Sequence, residues 1–334
     1  MRKPEYKGWE SGGEHVGNWA DLGNKELGLM NRLNDLILQM ESRKPYSLPN
    51  LKLGDTIFVF SDYSGQHKES SFDVYSFLLV DINHCHIWFE ERDKIRLKFL
   101  SDGRRLSFKN LNDKNRNKAL YPFLYAANNI PSLIVSFAID KKIESLFRKE
   151  GKLYTDDPEL SKNKDWKSKT FENLLRIVHL NSLFVAGLSK ENQDVYWISD
   201  DDNINANVEK LKELTNIFGN ILSHYLSHDL RNIRCGSTGI CDDGSKNIED
   251  FCAIPDLVAG ALSEMLSTYH RKGISLSSKL VVPPSESMSN KSKKIFNWLS
   301  DRSYSLKKLT YSISAIKDST ELEISLLKFI GSNS

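Results

Sequence analysis

The chain has 334 residues, 40% apolar and 27% charged, the balance of an ordinary globular protein long enough to bury a full core. Its 46 basic and 44 acidic side chains leave a net charge of +2, which excludes a global electrostatic footprint for nucleic acid and leaves only a local basic groove open. No run approaches the apolar length of a membrane helix, the first residues lack the apolar core of a secretory signal, and Cys85, Cys235, Cys241 and Cys252 are too scattered for a disulfide framework; a cytoplasmic protein without membrane contact is expected.

In chain order, Leu27, Met30, Leu33, Leu36, Ile37 and Met40 recur at helical spacing and predict one amphipathic helix. A Pro-rich link leads to "TIFVFSDYSG", an apolar and β-branched run that predicts a strand buried on both faces. That strand runs into Asp62 and breaks at Gly65. Two more strands are expected in "SSFDVYSFLLVD" and "HCHIWFEE", paired with the first as an antiparallel meander. "SDGRRLSFKNL" is expected to add strand length, and residues 112–129 to form a helix interrupted near Pro122. "PSLIVSFAIDK" predicts another buried strand, closed by Asp140.

A helix over residues 169–189 follows, then a strand in "DVYWISDDDN" that closes among Asp200, Asp201 and Asp202, and a helix over residues 206–226. A short strand, "RNIRCGST", leads through a Gly- and Asp-rich loop to a helix in "IPDLVAGALSEMLSTYHRKG". Pro255 suits the first turn of that helix, which puts Asp256 in the first turn too. Beyond Gly273 a Ser-, Pro- and Lys-rich stretch precedes "KIFNWLSDR" and "LTYSISAI", whose alternation of Leu309, Tyr311, Ile313 and Ala315 suits an accessory strand with one wet face. The expected organisation is a helical extension and linker (residues 1–50), an α/β domain (51–273) and an accessory helix and strand (274–334). A mixed sheet with an antiparallel meander followed by parallel strands, and helices on both faces, is what this order builds. It is the order of the ribonuclease H-like fold.

The acids carry the functional expectation. Asp62 and Asp140 each end a buried strand, where open α/β sheets place their chemistry, although Asp before Gly is also an ordinary turn former. Asp256 begins a helix that must pack on that sheet, although an acid is also favoured there by the macrodipole. If the two strands are parallel neighbours, their carboxylates lie about 5 Å apart. Like charges so close need a cation between them, and carboxylate oxygens suit Mg²⁺ or Mn²⁺.

"FVFSDYSG", "YSFLLVD", "SFAIDK", "VYWISDDDN" and "IPDLVAGAL" resemble, in order, the signatures of the domain of unknown function 3800 family. This is a bacterial ribonuclease H-like group held to be metal-dependent nucleases. "IPDLVAGAL" is similar to that family's "LQLADLVAGA" pattern and "SDYSG" to its "DESG" pattern, over residues 56–273. The resemblance implies that Asp62 and Asp256 are site acids, with Asp140 beside Asp62 and Asp200 or Asp201 closing the next strand. It implies that Asp62, Asp140 and Asp256 hold Mg²⁺ or Mn²⁺ and that DNA or RNA is the substrate. Three departures stand out. Tyr63 replaces the acid after Asp62, "CAIPD" lacks a glutamine, and Arg105 stands where many relatives carry a glutamate, with Glu90, Glu91 and Asp113 as candidate replacements.

Competing constellations are weaker. His84, Cys85 and His86 lack the paired spacing of a zinc site, and His224 and His228 lack the glutamate of a zinc-protease helix. The lysines of "SNKSKKIFNW", with Phe296 and Trp298, offer charge for phosphate and rings for bases, or else a solvated helix face. The second functional expectation is a catalytically inactive subunit of a bacterial defence assembly that binds nucleic acid or protein. A homodimer built through the terminal segments is a further expected partnership.

Overall fold

The computed structural model describes residues 17–23, 27–149, 152–153, 168–200, 207–274, 280–281, 287–301, 303, 305–316 and 321–331. Asp201 and Asp202 lie outside these residues. Seven strands form one sheet: β1 (Thr56–Ser64), β2 (Phe72–Val80), β3 (Ser132–Asp140), β4 (Asp194–Ser199), β5 (Asn232–Ser237), β6 (Leu306–Ala315) and β7 (Leu322–Leu326). Their order is β7-β6-β3-β2-β1-β4-β5. Both β1 and β3 pair antiparallel with β2, whereas β1 with β4, β4 with β5 and β3 with β6 are parallel. The chain is therefore a mixed α/β protein. Every residue of β2 is buried, and every residue of β3 except Asp140, as continuous apolar strands covered on both faces must be.

Alternation along the strands divides the interior in two. On one face Ile57, Val59 and Trp197 pack under α1 (Leu29–Arg43), α4 (Ser168–Leu188) and α5 (Val208–Tyr225), with Trp19, Phe184 and Phe218 in the same cluster. On the other, Phe60, Val74, Ile134 and Ile198 pack under α2 (His86–Phe99), α3 (Lys114–Ala127), α7 (Asn247–Arg271) and α8 (Asn290–Ser300). Phe60 stacks on Phe251 of α7 at 5.0 Å between ring centroids. A one-turn helix, α6 (Thr238–Cys241), lies between β5 and α7. Among the described residues no helix is long and apolar enough to cross a membrane.

The segment "HCHIWFEE" is not a strand. It opens α2, whose buried residues Trp88, Arg92 and Ile95 are spaced by four and three. Three consecutive apolar residues, Ile87 to Phe89, have no period of their own, and the polar residues after them complete the helical face. "SDGRRLSFKNL" adds no strand either. It forms a loop and a 3-10 turn, Phe108–Asn110, and α3 runs through Pro122. The third strand of the meander is instead β3, reached after two helices. Every later strand moves one place in the sheet as a result.

The helix carrying Asp256 also begins earlier than Pro255 suggests. α7 starts at Asn247, with Glu249 and Asp250 in its first turn, where the macrodipole favours acids. Asp250 is 1% exposed and accepts from Arg92 Nε at 2.6 Å, Arg96 Nε at 2.5 Å and Arg96 Nη2 at 2.7 Å. Two guanidinium groups of α2 thus clamp the start of α7. In the C-terminal segment, β6 lies directly against β3, and Thr310 to Ile313 are buried on both faces instead of alternating with solvent.

Removing one partner of a buried ion pair strands the other charges. Asp250→Ala is expected to lower the unfolding free energy by about 3–5 kcal/mol in urea denaturation, and Asp250→Asn by less.

Candidate functional site

The register decides which acids meet. Ser61 of β1 pairs with Ser199 of β4, so Asp62 and Asp200 follow at the same level, about one strand spacing apart, roughly 5 Å. Phe58 and Phe60 of β1 face α7, as do Tyr196 and Ile198 of β4. Period-two alternation puts Asp62 and Asp200 on that face as well. Tyr63 points to the opposite face, where its hydroxyl lies 2.7 Å from Ser61 Oγ and its ring packs against Tyr75 and Phe77. The residue after Asp62 therefore faces away from the acids.

Asp140 is not beside Asp62. β2 lies between β1 and β3, and the row that contains Asp62 continues through Ser76 to Ser136. Asp140 sits four residues further along β3, opposite Phe72, so it is displaced by two strand spacings, about 10 Å, and about 13 Å along the strand. Its Oδ1 accepts from the Lys142 amide at 2.9 Å, the role of a turn former. The expectation that Asp140 neighbours Asp62 and shares a metal with it is corrected here. It followed from reading the first turns of α2 as a strand, and Asp200 holds the adjacent position.

Asp256 reaches the same place from α7. Between Asp250 and Ser263 every residue of the helix is buried except Asp256, which is partly buried. Its Oδ2 accepts from the Phe108 amide at 2.6 Å. Gly260, one turn on, lies under the Phe108 ring, where a Cβ would collide with it. Burial pushes the Asp256 carboxyl up to about 6; the Phe108 amide opposes this, Asp200 reinforces it, and Arg105 and Lys291 oppose it. Cys252, one turn before Asp256, has its thiol pushed well above the ordinary range, first by burial and then by Asp200 and Asp62. Asp200 thus acts on both Asp256 and Cys252, and Asp62 acts on Cys252.

Arg105 stands beside Asp200. Its Nη2 donates to Asp200 Oδ1 at 2.8 Å, and its Nε lies 3.7 Å from Glu249 Oε2. Thr238 Oγ1 donates to the same Asp200 oxygen at 2.7 Å. Sequence reasoning missed Glu249, because with the helix starting at Pro255 it fell in a loop; two turns before Asp256 it lies on the same helical face. The replacement acids weighed above lie elsewhere. Asp113 caps α3, accepting from the Asn115 and Arg116 amides, and Glu91 pairs with Lys94 at 2.6 Å on the surface.

The basic segment of α8 is built into the fold. Phe296 and Trp298 are buried, at 1% exposure each, and offer no ring face to a base. Lys294 Nζ donates to Asn117 Oδ1 at 2.7 Å and Lys308 Nζ to the Trp298 carbonyl at 2.6 Å. Burial lowers the Lys308 amine to about 7. Lys291 Nζ donates to the Phe108 carbonyl at 3.1 Å and lies 4.2 Å from the centroid of its ring, which brings one lysine of the group to the site.

Carboxylate oxygens are suitable donors for Mg²⁺ or Mn²⁺. The acids here match that chemistry, while Asp200 is engaged by Arg105 and Thr238 and no three His, Cys, Asp or Glu side chains among the described residues form a ready-made metal group. The cysteines are free thiols. No protein-family model matches the chain, and no curated protein is detectably similar to it.

Asp256 takes up its proton more readily folded than unfolded. Its contribution to stability is therefore complete below its unfolded value, near 4, and is lost as the pH rises through about 6. Between about pH 4 and about pH 7 the wild-type chain should lose roughly 2 kcal/mol relative to Asp256→Asn, which keeps the acceptor for the Phe108 amide. Parallel urea titrations of the two chains across that range measure the difference.

Proposed function

We propose that the chain is a divalent-metal-dependent nuclease that hydrolyses phosphodiester bonds of DNA or RNA on a ribonuclease H-like domain. One observation carries the reading: Asp62, two residues before the end of β1, and Asp200, just past β4, follow the paired Ser61 and Ser199 of adjacent parallel strands, on the face that α7 covers with Asp256. The sequence β3-β2-β1-β4-β5 with only β2 reversed supports it, since this is the order of ribonuclease H-like sheets. It agrees with the motif resemblance to the domain of unknown function 3800 family.

In this reading Asp62, Asp200 and Asp256 are the residues that would hold Mg²⁺ or Mn²⁺, once Arg105 has left Asp200. A metal held there would supply an activated water and neutralise charge on the leaving oxygen. The chain's own groups do the rest. The Phe108 amide fixes the orientation of the Asp256 carboxylate. Lys291 and Arg105 attract the phosphate backbone, and the hydroxyl of Thr238 steadies Asp200.

Asp62→Asn is expected to abolish Mn²⁺-dependent cleavage of single- and double-stranded DNA and RNA while leaving the circular dichroism spectrum and melting temperature near those of the wild type. Absence of cleavage in every wild-type assay, with Asp62→Asn indistinguishable throughout, sinks the catalytic reading.

A second reading is favoured by the bond between Arg105 and Asp200. A cluster neutralised from within suits a non-catalytic subunit, such as one of a bacterial defence assembly, that binds nucleic acid or protein through the same fold. A mobility shift with nucleic acid in EDTA, with no cleavage on adding Mn²⁺, distinguishes this reading from the first.

A further inference from the structure

The loop before α3 is fixed at its backbone, and one of its side chains extends toward solvent and the acids. Arg116 Nε holds the Arg105 carbonyl at 2.6 Å, Asp256 holds the Phe108 amide at 2.6 Å, and Lys291 holds the Phe108 carbonyl at 3.1 Å. Phe108 itself is seated over Gly260. The Arg105 side chain, by contrast, is 44% exposed, and the Asp200 side chain it binds is 41% exposed. Its other acidic neighbour, Glu249, is 14% exposed, and Glu249 Oε2 makes no hydrogen bond among the described residues. Lys246 Nζ satisfies only the other oxygen, at 3.1 Å.

Resting on the reading of the acid cluster as a cation site, we infer that Arg105 is the cluster's built-in counter-ion and sets its threshold for divalent metal. The guanidinium supplies positive charge to both Asp200 and Glu249. A divalent cation entering there meets both a competitor for the carboxylate oxygen and a like charge. Because the backbone on either side is pinned by other residues, loss of the guanidinium leaves the loop in place and removes the like charge that a cation meets at Asp200. A lysine at this position preserves the charge and so the exclusion. A neutral side chain of similar length does not.

The test is calorimetric titration of the full chain with MnCl₂, comparing wild type, Arg105→Gln, Arg105→Lys and the double variant Arg105→Gln with Asp62→Asn, with melting temperatures recorded for each. Arg105→Gln is expected to bind Mn²⁺ at least about tenfold more tightly than wild type. Arg105→Lys should remain near wild type, and the double variant should lose the gain. Equal affinity of wild type and Arg105→Gln overturns the counter-ion role and leaves the metal reading standing. Absence of Mn²⁺ binding in both removes the cation site and the counter-ion with it. A gain that survives Asp62→Asn places the new ion outside this cluster and also overturns the inference. Should Arg105→Gln melt well below wild type, Arg105→Ala and Arg105→Met carry the same expectation.

Discussion

The pairing of Ser61 with Ser199 places two carboxylates side by side beneath a buried helix, and the surroundings must offset their repulsion. Water reaches Asp200 on one side, a guanidinium and a hydroxyl bind it, and the third acid, Asp256, is held with its carboxyl shifted toward the protonated form. These three responses (solvation, internal counter-charge and proton retention) are ones by which a fold offsets repulsion among neighbouring acids. The loop from Arg104 to Asp113 serves this electrostatic requirement. It supplies Arg105 to Asp200 and the Phe108 amide to Asp256, both from one short irregular segment.

The loop in turn depends on elements far away in sequence. Arg116 of α3 and Lys291 of α8 hold its carbonyls, and Gly260 of α7 makes room for the Phe108 ring. The start of α7 is clamped to α2 through Asp250. Residues past 273 therefore share in the architecture of the acid cluster: α8 packs on the α7 face of the sheet and β6 extends the sheet beside β3. The residues before β1 do likewise on the other face, where Trp19 lies against Gly187 and donates its indole N–H to Asn34 at 2.9 Å.

Much of this was legible in the chain itself. The continuous apolar runs of β1, β2 and β3 could only be strands covered twice, and the heptad-like recurrence from Leu27 to Met40 could only be an amphipathic helix. The motifs around Asp62 and Asp256 raised the expectation that the two serve one site. The position of the third acid was not legible. Ile87, Trp88 and Phe89 carry no periodicity, so a helix was read as a strand and Asp140 was assigned the place that Asp200 occupies. Glu249 was hidden for a similar reason, because Pro255 is compatible both with a first turn and with a helix interior.

What the sequence determines by itself is local: which stretches alternate, which recur every three or four residues, and where a carboxylate interrupts an apolar run. These depend on neighbours within a few residues, and the order of the residues alone shows them. Which carboxylates share a volume, and that Arg105 stands among them, is decided only by strand order and register. Pairing β1 with β4 instead of β3 costs nothing that a single segment can reveal, yet it moves an acid by about 10 Å. The charge balance of the cluster therefore belongs to the tertiary structure.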